Sequence, residues 1–121
     1  MKRAALSSIG FALLSMPALA HDANGVHGGR LVDAGDYHVE LVTKGTDVDV
    51  YVLDHDNKPV PTAGYKAIAI LSAVGKSVRI VLTPADASKL TGKSETALPS
   101  APKGVVQITP PNGKTVQAKF N

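Results

Sequence analysis

From Tyr37 onward, apolar and polar positions alternate with a period of two. Tyr37, Val39 and Leu41 interleave with His38, Glu40 and Val42, and Val48, Val50 and Val52 interleave with Asp47, Asp49, Tyr51 and Leu53. This is the spacing of strands with one buried face. Residues 30–34 read as an earlier first strand, and runs at 67–71, 78–82, 105–108 and 116–120 extend the pattern. Gly and Pro punctuate the gaps, at Gly45, Pro59-Val60-Pro61, Gly75, Pro84, Gly92, Pro99, Pro102 and Pro110-Pro111-Asn112-Gly113. No segment carries a sustained 3.6-residue stripe; residues 84–90 have room for one short helical turn. The pattern predicts an all-β chain, a single antiparallel β-sandwich of immunoglobulin-like type with six to eight short strands. It has no cysteine and hence no disulfide, so packing alone must hold it.

Two hairpins can be registered from the residues. Lys44-Gly45 is expected to close the first, setting Leu41 opposite Val48, Val39 opposite Val50 and Tyr37 opposite Val52 on the core face. The outward face then pairs Glu40 with Asp49, Val42 with Asp47 and His38 with Tyr51. Directly opposed carboxylates destabilise a ladder by up to about 1 kcal/mol unless a cation lies between them, and either a lysine from a neighbouring strand or a metal would serve. The second hairpin turns at Pro111-Asn112-Gly113, with Ile108 opposite Ala118 and Val106 opposite Phe120.

Ahead of this domain, Lys2 and Arg3 precede an apolar run over residues 4–14 and the small-x-small triplet Ala18-Leu19-Ala20. That combination reads as a secretory signal peptide, residues 1–20, cleaved after Ala20 for export to the periplasm. Residues 21–29 form a flexible His- and Gly-containing lead-in, and 30–121 form the sandwich. The run is too short for a membrane span, and nothing later is apolar enough for one. Loss of Lys2 and Arg3 lowers the formal charge from +3 to +1, and with no Trp and no basic helix the chain shows no nucleic-acid signature.

The charge is unevenly distributed along the chain. Residues 21–56 hold all four histidines, His21, His27, His38 and His55, and eight carboxylates against Arg30 and Lys44, a net of −6. Residues 57–121 hold nine Lys or Arg against Asp86 and Glu95, a net of +7. Imidazole and carboxylate are ligands for a borderline divalent cation. With no Cys and no Met after residue 20, a soft Cu(I) site of thiolate or thioether type within one chain is excluded; His with carboxylate points to Cu(II), Zn(II) or Ni(II), and of these copper and zinc are the ions expected for an exported bacterial protein. The candidate ligands are His21, His27, His38, Glu40, Asp49 and His55. Cleavage after Ala20 frees the α-amine of His21, which with its imidazole and a second histidine, His27 or His38, would make a histidine brace. Segment 54–59, Asp54-His55-Asp56-Asn57-Lys58-Pro59, fails as an EF-hand loop because Lys58 and Pro59 stand where an oxygen ligand and a glycine are needed; it reads first as a solvated turn. No nucleophile elbow, catalytic cysteine, H-E-x-x-H, phosphate loop or dinucleotide fingerprint is present, so no enzyme is expected.

His27-Gly28-Gly29, then Gly35-Asp36-Tyr37-His38-Val39-Glu40-Leu41-Val42, Tyr51-Val52-Leu53-Asp54 and Lys58-Pro59-Val60 together resemble a group of small exported bacterial proteins associated with heavy-metal efflux systems. A similar His-Gly-Gly segment occurs in some periplasmic adaptor subunits of those pumps. The resemblance spans most of residues 21–121 and implies a periplasmic β-sandwich with a role in metal handling, with His27, His38 and Glu40 as the carried-over positions. The expectation is a monomeric buffer or carrier in heavy-metal resistance, whose partners are the ion and an efflux adaptor or another periplasmic protein. The alternative is a metal-free, non-catalytic interaction domain whose acidic and basic faces dock a partner.

Overall fold

The structure, a computed structural model, describes residues 22–121. Nine antiparallel strands make one continuous sheet, and no helix occurs among the described residues. They are β1 (Asp22–Asn24), β2 (Arg30–Ala34), β3 (Tyr37–Lys44), β4 (Asp47–Asp54), β5 (Lys66–Ala73), β6 (Lys76–Ala85), β7 (Lys89–Lys93), β8 (Gly104–Thr109) and β9 (Val116–Phe120). Their order across the sheet is β1-β2-β3-β4-β7-β6-β5-β8-β9. The sheet curls until β2 lies beside β9. There Arg30 donates from Nη2 to the carbonyl of Asn121 at 2.9 Å and covers the ring of the buried Phe120.

The alternating positions set the core. Val39, Leu41, Val48, Val50 and Val52 are all buried, and meet Leu71, Ile80, Leu82, Val106, Ile108 and Phe120 from the other strands. Tyr37 is half-buried at the rim, its hydroxyl 3.4 Å from that of Tyr65. Burial, with that hydroxyl contact, pushes the Tyr65 phenol up to about 12.

Strand number and register both depart from the sequence-based expectation. There are nine strands, not six to eight: β1 lies in the stretch read as a flexible lead-in, and β7 is a strand that the sequence reading did not foresee; residues 84–90, read as room for a helical turn, are the end of β6, a turn at 86–88 and the start of β7. In β7 only Leu90 is apolar and Gly92 interrupts it, so alternation cannot reveal the strand. Gly92 is there for space, since a Cβ would stand 2.5 Å from the carbonyl oxygen of Val81. In the first hairpin Gly45-Thr46, with Gly45 at φ 62°, is the two-residue turn. This sets Leu41 opposite Val50, Val39 opposite Val52 and Tyr37 opposite Asp54. The last hairpin pairs Val106 with Ala118 and Ile108 with Val116 around a Pro110-to-Gly113 turn. Both registers differ from expectation by two residues, which keeps every side chain on its expected face and changes only its partner.

Strand β6 serves two neighbours. Up to Leu82 it pairs with β5, and from Thr83 it pairs with β7. The sheet forks at this point.

Gly92→Ala is expected to lower stability by about 3 kcal/mol through overpacking. Gly75→Ala, with open space around the Cβ but φ at 75°, is expected to cost only about 1 kcal/mol. Urea midpoints compare the two; equal losses would contradict the close approach of β7 to β6.

Candidate functional site

Strand alternation turns Glu40 away from the core, yet its side chain is fully buried. The cover is the loop of residues 25–29 between β1 and β2, which folds over the outer face of β3. The loop is closed by Gly25 N–H to Gly29 O at 2.8 Å and Gly28 N–H to Gly25 O at 3.2 Å. Its donors converge on the carboxylate: Oε2 accepts the N–H of His27 at 2.9 Å and of Gly29 at 2.8 Å, and Oε1 lies 2.9 Å from Nδ1 of His27. A buried carboxylate is tolerable only with such partners. Its bulk also explains a glycine, because a Cβ on Gly25 would stand 2.1 Å from the Glu40 carboxyl carbon.

The same contacts orient His27. With Nδ1 as the donor to Glu40, Nε2 carries the free lone pair. The ring stacks on Tyr51 with centroids 3.6 Å apart and planes 5° from parallel, and Tyr51 is the residue directly opposite Glu40 on β4. The His27 side chain stays 42 % exposed, at the edge of a cavity of about 430 Å3 that Val26, Leu53, Asn57 and Pro59 also line.

The remaining candidates do not join it. His38 lies on the same outer face, but Nε2 is 3.1 Å from Oδ1 of Asp33 and Nδ1 is 2.6 Å from Oδ1 of Asn57, so both ring nitrogens are engaged. His55 is exposed at the tip of its turn, 3.7 Å from Asp56. Asp49 faces Val42, not Glu40, so the opposed acidic pair does not form. Asp49 instead accepts from Thr91 Oγ1 at 2.7 Å, with Lys89 Nζ 3.9 Å away. Asp47 pairs with Lys93. Both lysines come from β7, and so the cation foreseen for this acidic strand is supplied by the neighbouring strand. Asp49 raises the pKa of Lys89, and the Lys93 hydrogen bond holds the Asp47 carboxyl below the usual range. His21 lies outside the described residues.

Three separate histidine–carboxylate pairs result, His27 with Glu40, His38 with Asp33 and His55 with Asp56. Among the described residues no three His, Asp or Glu side chains gather where they could hold one ion. Sequence reading missed Gly25, Tyr51, Asp33 and Asn57. Only Gly25 left a signal, as the first of three glycines flanking His27. Compared with family models, with curated proteins and with solved structures, the chain matches none.

Glu40→Ala strands two backbone N–H groups and is expected to cost about 2–3 kcal/mol. The amides of His27 and Gly29 should then exchange with solvent at least about tenfold faster, and Gly25→Ala should do the same by displacing the loop. Unaltered exchange by NMR would show that the carboxylate does not hold the loop. Asp54, whose Oδ1 accepts the N–H of Lys58 and of Asp56, is held below its ordinary value of 3.8 chiefly by the Lys58 bond. Its contribution to the 54–58 turn is therefore complete above pH 3.8 and lost as pH falls through the lower folded value. Asp54→Asn should flatten that acid limb of the stability curve.

Proposed function

We propose that the protein is an exported accessory protein that binds Cu(II) or Zn(II) through His27 and acts as a periplasmic buffer or carrier in heavy-metal resistance. The observation that carries this reading is the Glu40–His27 contact. A carboxylate that accepts Nδ1–H fixes the tautomer and leaves Nε2 as the nitrogen free to coordinate, which is the usual support of a metal-bound imidazole. The residues fit the ion as one preoriented ligand, with further positions left to solvent, to a partner's side chains or to the amine and ring of His21. An open sphere of this kind suits a protein that passes the ion on. In this reading residues 1–20 are removed, the curled sheet is a monomeric immunoglobulin-like sandwich, and the receiving partner is a metal-efflux adaptor or another periplasmic protein.

A metal-free interaction domain is the second reading. It is favoured by Lys89 and Lys93, which already occupy Asp49 and Asp47, and by His38, whose two nitrogens are engaged.

Calorimetric titration with Zn(II) and Cu(II) separates the two. His27→Ala is expected to abolish the tightest binding, and Glu40→Gln to weaken it roughly 10- to 100-fold. His55→Ala is expected to leave it unchanged. A residue added before His21 reports whether the terminal amine takes part. Affinity should fall on acidification, because protons compete with the metal for the nitrogen. Equal affinity in wild type and His27→Ala would remove the metal proposal and leave the interaction domain.

A further inference from the structure

The half of the sheet that follows β7 in the strand order has an outer face of opposite character. Strands β5, β6, β8 and β9 contain no Asp or Glu, and they carry Lys66, Lys76, Arg79 and Lys119. None of these four cations has an ion-pair partner among the described residues. Across this face one row sets Val81 beside Ile68, and the next sets Arg79, Ile70, Val105 and Lys119 side by side. Val81 is 57 % exposed and Ile70 36 %. Branched aliphatic side chains left in water between unpaired cations are not explained by the fold, whose core is complete without them.

The fork of the sheet gives this face its shape. Where β6 leaves β5 after Leu82 to join β7, a shallow groove of about 610 Å3 opens, lined by Tyr65, Lys66, Ile68, Arg79, Val81 and Pro84 among others. Its lining is mostly apolar with two cationic groups, the composition of a recognition cleft.

We propose that this groove docks an extended segment of a partner protein in which carboxylates flank aliphatic side chains. The aliphatic residues cover Ile68 and Val81, and the carboxylates meet Lys66 and Arg79. Charge complementarity selects an acidic partner, since Lys66 and Arg79 have no ion-pair partner among the described residues; Glu95 lines a neighbouring pocket with Lys76 and Arg79 but makes no ion pair with either. Among the described residues no exposed aromatic side chain projects from this face as a membrane-interface anchor would, so the occupant proposed is a chain segment and not a lipid surface.

The test is NMR titration of the 15N-labelled protein with acetyl-Glu-Val-Leu-Val-Glu-amide, with a control peptide carrying Lys in place of Glu. The acidic peptide is expected to shift the amides of Ile68, Arg79 and Val81, with an affinity that falls as salt is raised. The basic peptide should shift none of them. Arg79→Glu should weaken the response about tenfold and Arg79→Lys should largely restore it; Lys119→Glu, on the same face outside the groove, should leave it near wild type. Val81→Asp, its fold checked by the unchanged shifts of β2–β4, should abolish it. The proposal is overturned if the acidic peptide moves no groove amide at millimolar concentration, or if Arg79→Glu binds it as wild type does. It is also overturned if phosphatidylglycerol vesicles shift these amides while the peptide does not, which would make the face a lipid contact.

Discussion

One buried carboxylate organises the acidic half of the molecule. Glu40 sits on the outer side of β3, where a charged group belongs in water, and burying it without partners would cost several kcal/mol. The loop of residues 25–29 makes the burial tolerable by aiming two backbone N–H groups and one imidazole nitrogen at it. The dependence runs both ways, because the loop has no apolar core of its own and is held by those same bonds. Gly25 follows from the approach of the carboxyl group. Gly29 follows from the approach of the Leu41 carbonyl, 2.2 Å from where its Cβ would lie. The orientation of the His27 ring and its stacking on Tyr51 follow from the loop. Charge, glycine pattern and imidazole geometry form one unit and would fail together.

Alternation along the chain reveals which side of a strand faces inward, because that depends on parity alone. It does not reveal register, which turns on whether a hairpin closes at Lys44-Gly45 or at Gly45-Thr46. The two-residue difference left the core of Val39, Leu41, Val48, Val50 and Val52 intact and moved Glu40 from Asp49 to Tyr51. Nor can alternation detect a loop folding back over an outward face. Glu40 therefore reads as solvated in sequence and is among the most buried residues in the fold. The glycines around His27 were visible; what they approach, the Glu40 carboxyl group and the Leu41 carbonyl, lies 12 to 15 positions away in sequence.

The charge asymmetry illustrates the same limit at larger scale. Summed along the sequence, the two halves are of opposite sign. In space β7, from the basic half, inserts beside β4, and Lys89 and Lys93 reach Asp49 and Asp47. The acidic face is thus partly neutralised by strand order. The cations of β5, β6 and β9 receive no such treatment, because their hydrogen-bonded neighbours in the sheet are strands without Asp or Glu. The fork in β6 follows from this topology: one strand pairs with β7 through its last residues and with β5 through its earlier ones.

Holding the loop to β3 does not by itself require histidine at position 27. The backbone N–H groups of His27 and Gly29 satisfy Oε2, and a shorter polar side chain or a water would complete Oε1. An imidazole adds a ring that is 42 % exposed, stacked flat on Tyr51 and provided with one nitrogen that the loop does not use. His38 is different, since both its nitrogens bond to the fold and its side chain ties β2 and β3 to the 54–58 turn. Of the two, His38 spends both ring nitrogens on the fold, whereas His27 spends one, on Glu40. An outward nitrogen with a fixed tautomer is useful for coordination or for accepting a proton or hydrogen bond. The carboxylate behind it favours a cation in front, and this asymmetry between two histidines on one sheet face is the physical reason the proposal places a cation at His27 rather than at His38.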